Sequence, residues 1–262
     1  MPPPKQARSL TDFGDLLPHL QDCGDDSPVI VGGQAVELYG EKYALTTPEL
    51  RPFLPCLTED LDLLGSRTFV RKLGQATGCR TQVTDPFAKT DSPLSGTVYL
   101  PKGHAHVLFA LRHARLPLRD IRQSALQVEY EGRIFRVIHP LLLLKEKIHL
   151  TVCLNQTGRN DAAHLKILIP CLRVYLADKI VAAGSDARKG RECVTLLKAV
   201  LAVMQSKEAG TAAQCHGCQW NRLLPLDALQ HTTNAKLTAF RDRQLPRFFN
   251  AIGNSMAPSK SA

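Results

Sequence analysis

The chain has 262 residues, of which 44% are hydrophobic and 22% are charged, the usual balance of a globular protein. This length suffices for one large domain or two small ones, each with a buried core. The longest apolar runs, such as "VIHPLLLL" at 137–144, are far shorter than the ~18–20 residues that span a bilayer, so we expect no membrane partner.

The chain carries a net charge of +9, from 33 Lys and Arg against 24 Asp and Glu. Such an excess favours polyanionic partners, either nucleic acid or nucleotide triphosphates, although it serves solubility equally well. The opening stretch "MPPPKQARSL" lacks the apolar region of a secretory signal, and the eight cysteines have no framework spacing. We therefore expect a cytoplasmic protein with reduced thiols.

The first predicted elements are a helix, a strand and a second helix. Apolar residues at helical spacing between Ser9 and Gln21 predict an amphipathic helix. The β-branched run Val29–Val31 predicts a short strand that ends at Gly32 and Gly33, and the following "QAVELYGEKY" is typical of a helix.

A proline-rich loop separates these elements from a second group. "DLDLLG" at 60–65 predicts a strand, and "RTFVRKLGQATG" predicts a helix that ends at Gly78. Further strands are predicted at 79–84, 96–100 and 104–109, and as a hairpin that turns at Glu131-Gly132.

The pattern becomes helical after His139-Pro140, which we interpret as a strand-to-helix turn. The fold class expected is therefore α/β (α+β), with a small mixed sheet followed by a helical C-terminal half. We place the α/β core at 1–139, the helical region at 140–252 and a disordered tail at 253–262.

Asp60 and Asp62 are the first candidates for chemistry. Side chains alternate along a strand, so these two carboxylates project from the same face and repel each other unless a cation neutralises them. Mg²⁺ does so well, because it binds one or two carboxylates together with phosphate oxygens. The alternative is chance, since 15 Asp in 262 residues produce about one Asp-x-Asp triplet.

The diglycine at 32–33 adds a second feature. Between a strand and a helix, Gly32 and Gly33 would let backbone amides approach a phosphate at the positive end of the helix; the alternative is an ordinary tight turn. A phosphate-binding turn and a metal-binding acid pair are together what phosphoryl or nucleotidyl transfer requires.

The stretches "VGGQAVELYGEKY", "LTEDLDLLG", "VIHPLLLLKEKIHL" and "GRNDAAHLKIL" together resemble the nucleotidyltransferase fold of the DNA polymerase β superfamily. More narrowly, the chain is similar to the AbiEii-type abortive-infection toxins and their bacterial relatives, over roughly residues 25–175. The resemblance implies that Gly32 and Gly33 cradle an NTP, and that Asp60 and Asp62 bind catalytic Mg²⁺ or Mn²⁺.

The resemblance also implies roles for residues further along the chain. Lys147 matches a catalytic helix lysine near the nucleotide phosphates, and Arg159 and Asp161 match a basic-acidic pair at the nucleotide site. His164 stands where many relatives have an acid. From the residues alone, Lys145 and Lys147 could equally form a solvated helix face, and Asp161 could be a helix cap.

One position departs from the family pattern. Relatives carry a third carboxylate on a later strand, in a hydrophobic-Asp-Phe sequence, and the corresponding residues here are Val107-Leu108-Phe109. Leu108 cannot hold a metal or accept a proton, so nucleotide and one metal could bind without turnover.

The sequence therefore indicates two main functions and a third alternative. The first is transfer of a nucleotidyl group from an NTP to a hydroxyl of RNA or protein, and the second is a catalytically degenerate nucleotide- or nucleic-acid-binding module. A regulatory protein that retains only the scaffold is the third. The resemblance alone implies a toxin–antitoxin role with a cognate antitoxin as partner.

Two other stretches remain open. Cys215 and Cys218 form a lone CxxC, and we favour a turn with free thiols because structural zinc requires four ligands. The arginines of "RHARLPLRDIR" at 112–122 could form a patch that faces nucleic acid, or a solvated loop.

Overall fold

The computed structural model describes residues 9–14, 16–21, 27–56, 58, 60–84, 95–100, 103–108 and 112–255. Within these residues, no helix is both long and apolar enough to cross a membrane. The chain divides into two compact units, Met1–Leu168 and Ile169–Ala262. The first unit contains the β-sheet and every residue predicted to bind nucleotide or metal.

The strands of the described residues all lie in the first unit. In chain order they are β1 (Val29–Ile30), β2 (Leu61–Leu64), β3 (Arg80–Val83), β4 (Ser95–Leu100), β5 (Gly103–Leu108), β6 (Arg112–His113), β7 (Leu116–Pro117), β8 (Leu126–Tyr130) and β9 (Arg133–Val137). Seven of them form one sheet in the order β3-β4-β5-β2-β1-β9-β8, and β6 and β7 form a separate hairpin. The pairs β1–β9 and β2–β5 are parallel and the other pairs are antiparallel, which confirms the predicted mixed sheet.

The helices of the first unit alternate with these strands along the chain or follow them. They are α1 (Leu17–Leu20), α2 (Gly32–Ala44), α3 (Arg67–Thr77), α4 (Leu118–Ser124), α5 (Pro140–Cys153) and the beginning of α6 (Asp161–Ala183), together with 3₁₀ helices at Leu10–Phe13 and Pro48–Phe53. The mixed α/β class predicted for the chain is thereby confirmed.

The prediction of one helix from Ser9 to Gln21 is wrong. The segment is broken into a 3₁₀ turn and the short helix α1, although its apolar residues are buried as expected. Pro18 explains the break, because it has no N–H to donate to the carbonyl of residue 14, and Gly14 is a weak helix former.

Other local signals are confirmed. Gly78 ends α3 with a left-handed φ of +65°, and the β8–β9 hairpin turns at Glu131 and Gly132, whose φ values are +49° and +71°. His139 caps α5, because its Nδ1 accepts a hydrogen bond from the amide of Leu141 over 3.2 Å. His139 therefore has the structural role predicted for it.

Helix α2 lies at the centre of the first unit. It follows β1 with only Val31 between them, and its residues from Gly32 to Gly40 are all buried. The hydroxyl of Tyr39 donates to the carbonyl oxygen of Ile138 over 2.8 Å, beyond the end of β9. This packing fixes the N-terminus of α2 relative to the sheet.

The described residues of the second unit are helical apart from their turns. The elements are the end of α6, α7 (Ala187–Met204), α8 (Lys207–His216), a 3₁₀ helix at Trp220–Leu223, α9 (Leu226–His231), α10 (Ala235–Arg243) and α11 (Leu245–Ser255). Cys215 lies in the last turn of α8 and Cys218 follows it, and neither forms a disulfide. Residues 256–262 of the predicted tail lie outside the described residues.

Candidate functional site

The start of α2 packs closely against Asp62. The amide of Val31 donates to the carbonyl oxygen of Asp62 over 3.0 Å. Gly32 has a φ of +66°, and a Cβ atom at this position would overlap the Asp62 carboxylate. Both conditions require glycine, because other residues rarely adopt positive φ and all carry a Cβ atom. The predicted phosphate-binding turn and a predicted metal ligand are therefore adjacent.

Gly33 makes a second close approach. A Cβ atom here would overlap the methyl group of Thr58 and lie 3.3 Å from Cε1 of His164. The Thr58 hydroxyl accepts a hydrogen bond from Nε2 of Gln34 over 2.6 Å and donates to the carbonyl oxygen of Asp60 over 3.1 Å. Thr58 thus ties the first turn of α2 to the backbone of Asp60.

The N-terminus of α2 has no side-chain cap. Its N-cap residue is Val31, which has no side-chain oxygen to accept a hydrogen bond from the first-turn amides. Uncapped amides at the positive end of a 13-residue helix are a favourable place for an anion such as phosphate.

Asp60 and Asp62 lie in different environments. Asp62 in β2 is in register with His106 of β5, whereas Asp60 precedes β2 and its Oδ2 lies 3.7 Å from Nε2 of His106. Burial raises the pKa of Asp62, and the opposing effect of the Lys147 charge is smaller. A bound cation would relieve this desolvation cost, because it favours the ionised carboxylate.

The donor set fits the metal that the resemblance implies. Asp60 and Asp62 offer carboxylate oxygens, which Mg²⁺ and Mn²⁺ both prefer. Asp60 is about one-third exposed, so solvent reaches this carboxylate. Asp60 and Asp62 are thus the residues that would hold such an ion.

Leu108 occupies the position predicted for the third carboxylate. The parallel register pairs Asp62 with His106 and Leu64 with Leu108. Because side chains alternate along a strand, Leu108 lies on the sheet face that carries Asp62. The position is therefore on the expected face but apolar, and Phe109, which helped to identify it, lies outside the described residues.

Lys147 is buried between two carboxylates. Its Nζ lies 3.1 Å from Oδ1 of Asp161 and 3.6 Å from Oε1 of Glu146, and its side chain is only 4% exposed. The interpretation of Lys147 as part of a solvated helix face is therefore wrong. Burial by itself lowers the pKa of Lys147, but the Glu146 and Asp161 charges outweigh it and the pKa is raised.

Arg159 completes a chain of charges with Asp161 and Lys147. Its Nε donates to Oδ2 of Asp161 over 2.7 Å, while Oδ1 of the same carboxylate accepts from Lys147. Burial raises the pKa of Asp161, but Lys147 and Arg159 outweigh it and the pKa is lowered. Asp161 is thus in direct contact with both of the other residues that the resemblance assigned with it to the nucleotide site, Lys147 and Arg159.

Glu146 and His113 are site residues that the sequence did not reveal. Glu146 is fully buried on α5, and its Oε2 lies 3.2 Å from Nε2 of His113 on β6. Burial alone would lower the pKa of His113, but Glu146 and Asp62 raise it above its ordinary value. No sequence motif connects these two residues, because they meet only through the fold.

His164 lies beside Gly33 without a hydrogen-bond partner. Its side chain is buried, and neither ring nitrogen has a hydrogen bond among the described residues. Burial lowers its pKa to about 3, and the nearby Lys147 charge acts in the same direction. His164 is therefore a neutral imidazole.

The chain was compared with protein-family models and with curated proteins. No family model matches the chain, and a search of curated proteins finds no match either. The resemblance to nucleotidyltransferases accordingly stays a prediction that rests on the motifs quoted above.

Proposed function

We propose that this protein is a metal-dependent nucleotidyltransferase, which moves a nucleotidyl group from an NTP to a hydroxyl of RNA or protein. The observation that carries the proposal is the packing of Gly32, at the uncapped N-terminus of α2, against the carboxylate of Asp62. A phosphate bound by the helix would lie beside a carboxylate able to hold its metal ion. Neither feature alone would favour a nucleotide over another anion.

Each residue of the first turn and of β2 has a role in this proposal. Gly32 and Gly33 let Asp62 and Thr58 pack directly against the first turn of α2, whose uncapped amides would bind the triphosphate. Asp60 and Asp62 hold Mg²⁺ or Mn²⁺, which when bound would neutralise phosphate charge and favour attack at the α-phosphorus. Thr58 keeps Asp60 in place through its hydrogen bond to the Asp60 carbonyl oxygen.

Arg159 and Lys147 neutralise the nucleotide's negative charge in different ways. The Arg159 side chain is 42% exposed, so its guanidinium can contact a phosphate while it keeps its bond to Asp161. Lys147 is buried and already paired, so it acts on the nucleotide at longer range and keeps Asp161 and Glu146 ionised.

The apolar Leu108 favours a second candidate, a nucleotide- or nucleic-acid-binding module that lacks turnover. This module would use the same helix terminus and the same acids, but nothing at the Leu108 position would hold a second metal ion. The two candidates differ in one measurable property, the covalent transfer of label from the NTP.

The test is incubation of the protein with each NTP labelled on its α-phosphate, with Mg²⁺ or Mn²⁺ and with total RNA or total protein. We expect label on a macromolecular acceptor, and a loss of about 100- to 1,000-fold in Asp60→Asn and Asp62→Asn. The matched control is Asp227→Asn, an acid of the second unit whose side chain is 95% exposed.

The outcomes separate the candidates. Binding of NTP without transfer to any acceptor would support the binding module and exclude the enzyme. Absence of both NTP binding and transfer would exclude the enzyme and a nucleotide-binding module. Equal transfer by wild type and both site variants would show that Asp60 and Asp62 are not the metal ligands.

A further inference from the structure

The buried pair of His113 and Glu146 has no role in the function proposed above. Glu146 is a fully buried carboxylate at the centre of α5, and such a group is costly unless it is paired. Its partners are Lys147, at 3.6 Å, and Nε2 of His113, at 3.2 Å. One cation would have sufficed to neutralise it, so the second partner requires an explanation.

The hairpin of β6 and β7 fixes the position of His113. His113 pairs with Leu116, and the two residues between them, Ala114 and Arg115, have positive φ values of +45° and +67°. Two successive residues with positive φ form the tight turn that matches the twist of paired strands. The backbone of His113 is therefore held at the end of a short ladder.

The two nitrogens of the His113 ring differ in their surroundings. Nε2 is buried and lies 3.2 Å from Oε2 of Glu146, an ion-pair distance without the geometry of a hydrogen bond, while the side chain as a whole remains 18% exposed. A carboxylate beside Nε2 favours the tautomer in which Nε2 carries the proton, so Nδ1 of the neutral ring has a free lone pair. A carboxylate beside one ring nitrogen stabilises the imidazolium that forms when the other nitrogen accepts a proton.

Asp62 and Lys147 are the other charged groups that act on His113. Asp62 belongs to β2, Lys147 belongs to α5 with Glu146, and both interact electrostatically with the His113 ring. By contact, Glu146 links the imidazole at 3.2 Å to Lys147 at 3.6 Å, and Lys147 lies 3.1 Å from Asp161, which the resemblance assigns to the nucleotide site. Leu108, at the position where a third acid would accept a proton, cannot do so.

We propose that His113 is the general base of nucleotidyl transfer and that Glu146 is its positioning residue. This inference rests on the proposed function. The acceptor oxygen forms a bond to the α-phosphorus, and the bond from that phosphorus to its bridging oxygen breaks with its electron pair, which releases pyrophosphate. The hydroxyl proton moves to Nδ1 of His113, and the carboxylate of Glu146 stabilises the resulting imidazolium.

The experiment measures His113 directly and through activity. In protein labelled on its histidine rings, the His113 signal is identified by its loss in His113→Asn and then followed by NMR as the pH changes. We expect its midpoint above the ordinary value of 6.5 in wild type, and a lower midpoint in Glu146→Gln. The wild-type midpoint requires only that His113→Asn folds well enough to assign the signal, and it requires no activity from any variant.

Activity is measured as label transfer across the same pH range. We expect His113→Asn to lower turnover by about 100-fold or more, with NTP affinity changed by no more than about twofold. Glu146→Gln should shift the acid limb of the pH–rate profile to lower pH, together with the NMR midpoint. The control is His149→Asn, which changes a histidine of α5 outside the site and should keep wild-type turnover.

Four results would overturn the inference. Label transfer with an acid limb unchanged by Glu146→Gln, or with wild-type turnover in His113→Asn, would remove the base while leaving the nucleotidyltransferase proposal intact. An NMR midpoint at or below 6.5 in wild type would remove the role of Glu146. Absence of transfer by wild type itself would remove the proposed function, and this inference with it.

Discussion

Gly32 and Asp62 are so closely packed that the first residue of α2 leaves no room for a Cβ atom beside the Asp62 carboxylate. Gly32 belongs to the helix predicted to bind phosphate, and Asp62 belongs to the strand predicted to bind metal. The predicted phosphate-binding turn and the predicted metal-binding strand are therefore packed against each other. The contribution of this packing to stability can be measured by substitution, because Gly78 has almost the same backbone conformation as Gly32.

We expect Gly32→Ala to destabilise the protein more than Gly78→Ala. Both glycines have left-handed φ values, +66° and +65°, so each substitution should cost about 1–2 kcal/mol from backbone strain. A Cβ atom at Gly78 has nothing within 4 Å, whereas one at Gly32 overlaps Asp62 and should add about 1–3 kcal/mol. Urea unfolding of both variants measures the difference, and equal losses would contradict the close packing.

Removal of the Lys147 charge should have a large effect on stability. Lys147→Met leaves Glu146 and Asp161 with one cation fewer in a buried site, so we expect a loss of about 3–5 kcal/mol in the free energy of unfolding. The control is Lys145→Met on the same helix, which is partly exposed and should change stability by no more than about 0.5 kcal/mol. Similar values for the two variants would show that the Lys147 ion pairs contribute little.

The ion pair of His113 and Glu146 should make stability depend on pH. The pKa of His113 is raised above 6.5 in the folded protein. Its contribution to the free energy of unfolding is therefore complete below pH 6.5 and is lost as pH rises through the folded pKa. The pKa of Glu146 is lowered below 4.5, so its contribution is complete above pH 4.5 and is lost as pH falls through the folded pKa. The stability difference between wild type and His113→Asn should therefore be largest between pH 4.5 and 6.5.

Denaturant unfolding at a series of pH values measures this difference. The matched control is His231→Asn on α9, because His231 also lies near a carboxylate, 3.4 Å from Asp227, but both side chains are exposed. An exposed pair contributes little, so the control should differ from wild type by about the same small amount at every pH. A flat difference for His113→Asn as well would mean that the buried ion pair does not form.

The parts of the site that could be predicted are those encoded by neighbouring residues. The strand before Gly32, the strand that carries Asp62 and the end of α3 at Gly78 all depend on spacings of a few residues. The family pattern identified Leu108 as the residue that replaces the third acid. The register of β2 and β5 places Leu108 on the sheet face that carries Asp62. The break between Leu10–Phe13 and α1 was missed because the apolar spacing outweighed the signals of Gly14 and Pro18.

Glu146, His113 and the buried state of Lys147 could not be predicted in this way. A charged residue between leucines of a helix is compatible with a solvated face or with a buried pair, and the choice depends on which residues approach from elsewhere. His113 approaches from a hairpin more than 30 residues away in the sequence. A single sequence contains no periodic signal for such a contact, because it arises only when the hairpin and α5 pack together.

The pairing of β2 with β5 also limits how this protein can change in length. Asp62 faces the candidate site, whereas Leu61 and Leu63 on either side of it are completely buried. Insertion or deletion of one residue just before β2 would exchange these faces, so a carboxylate would enter the core and two leucines would face the site. A change of two residues in this strand would keep Asp62 facing the site. A change of one residue would impair folding and binding together.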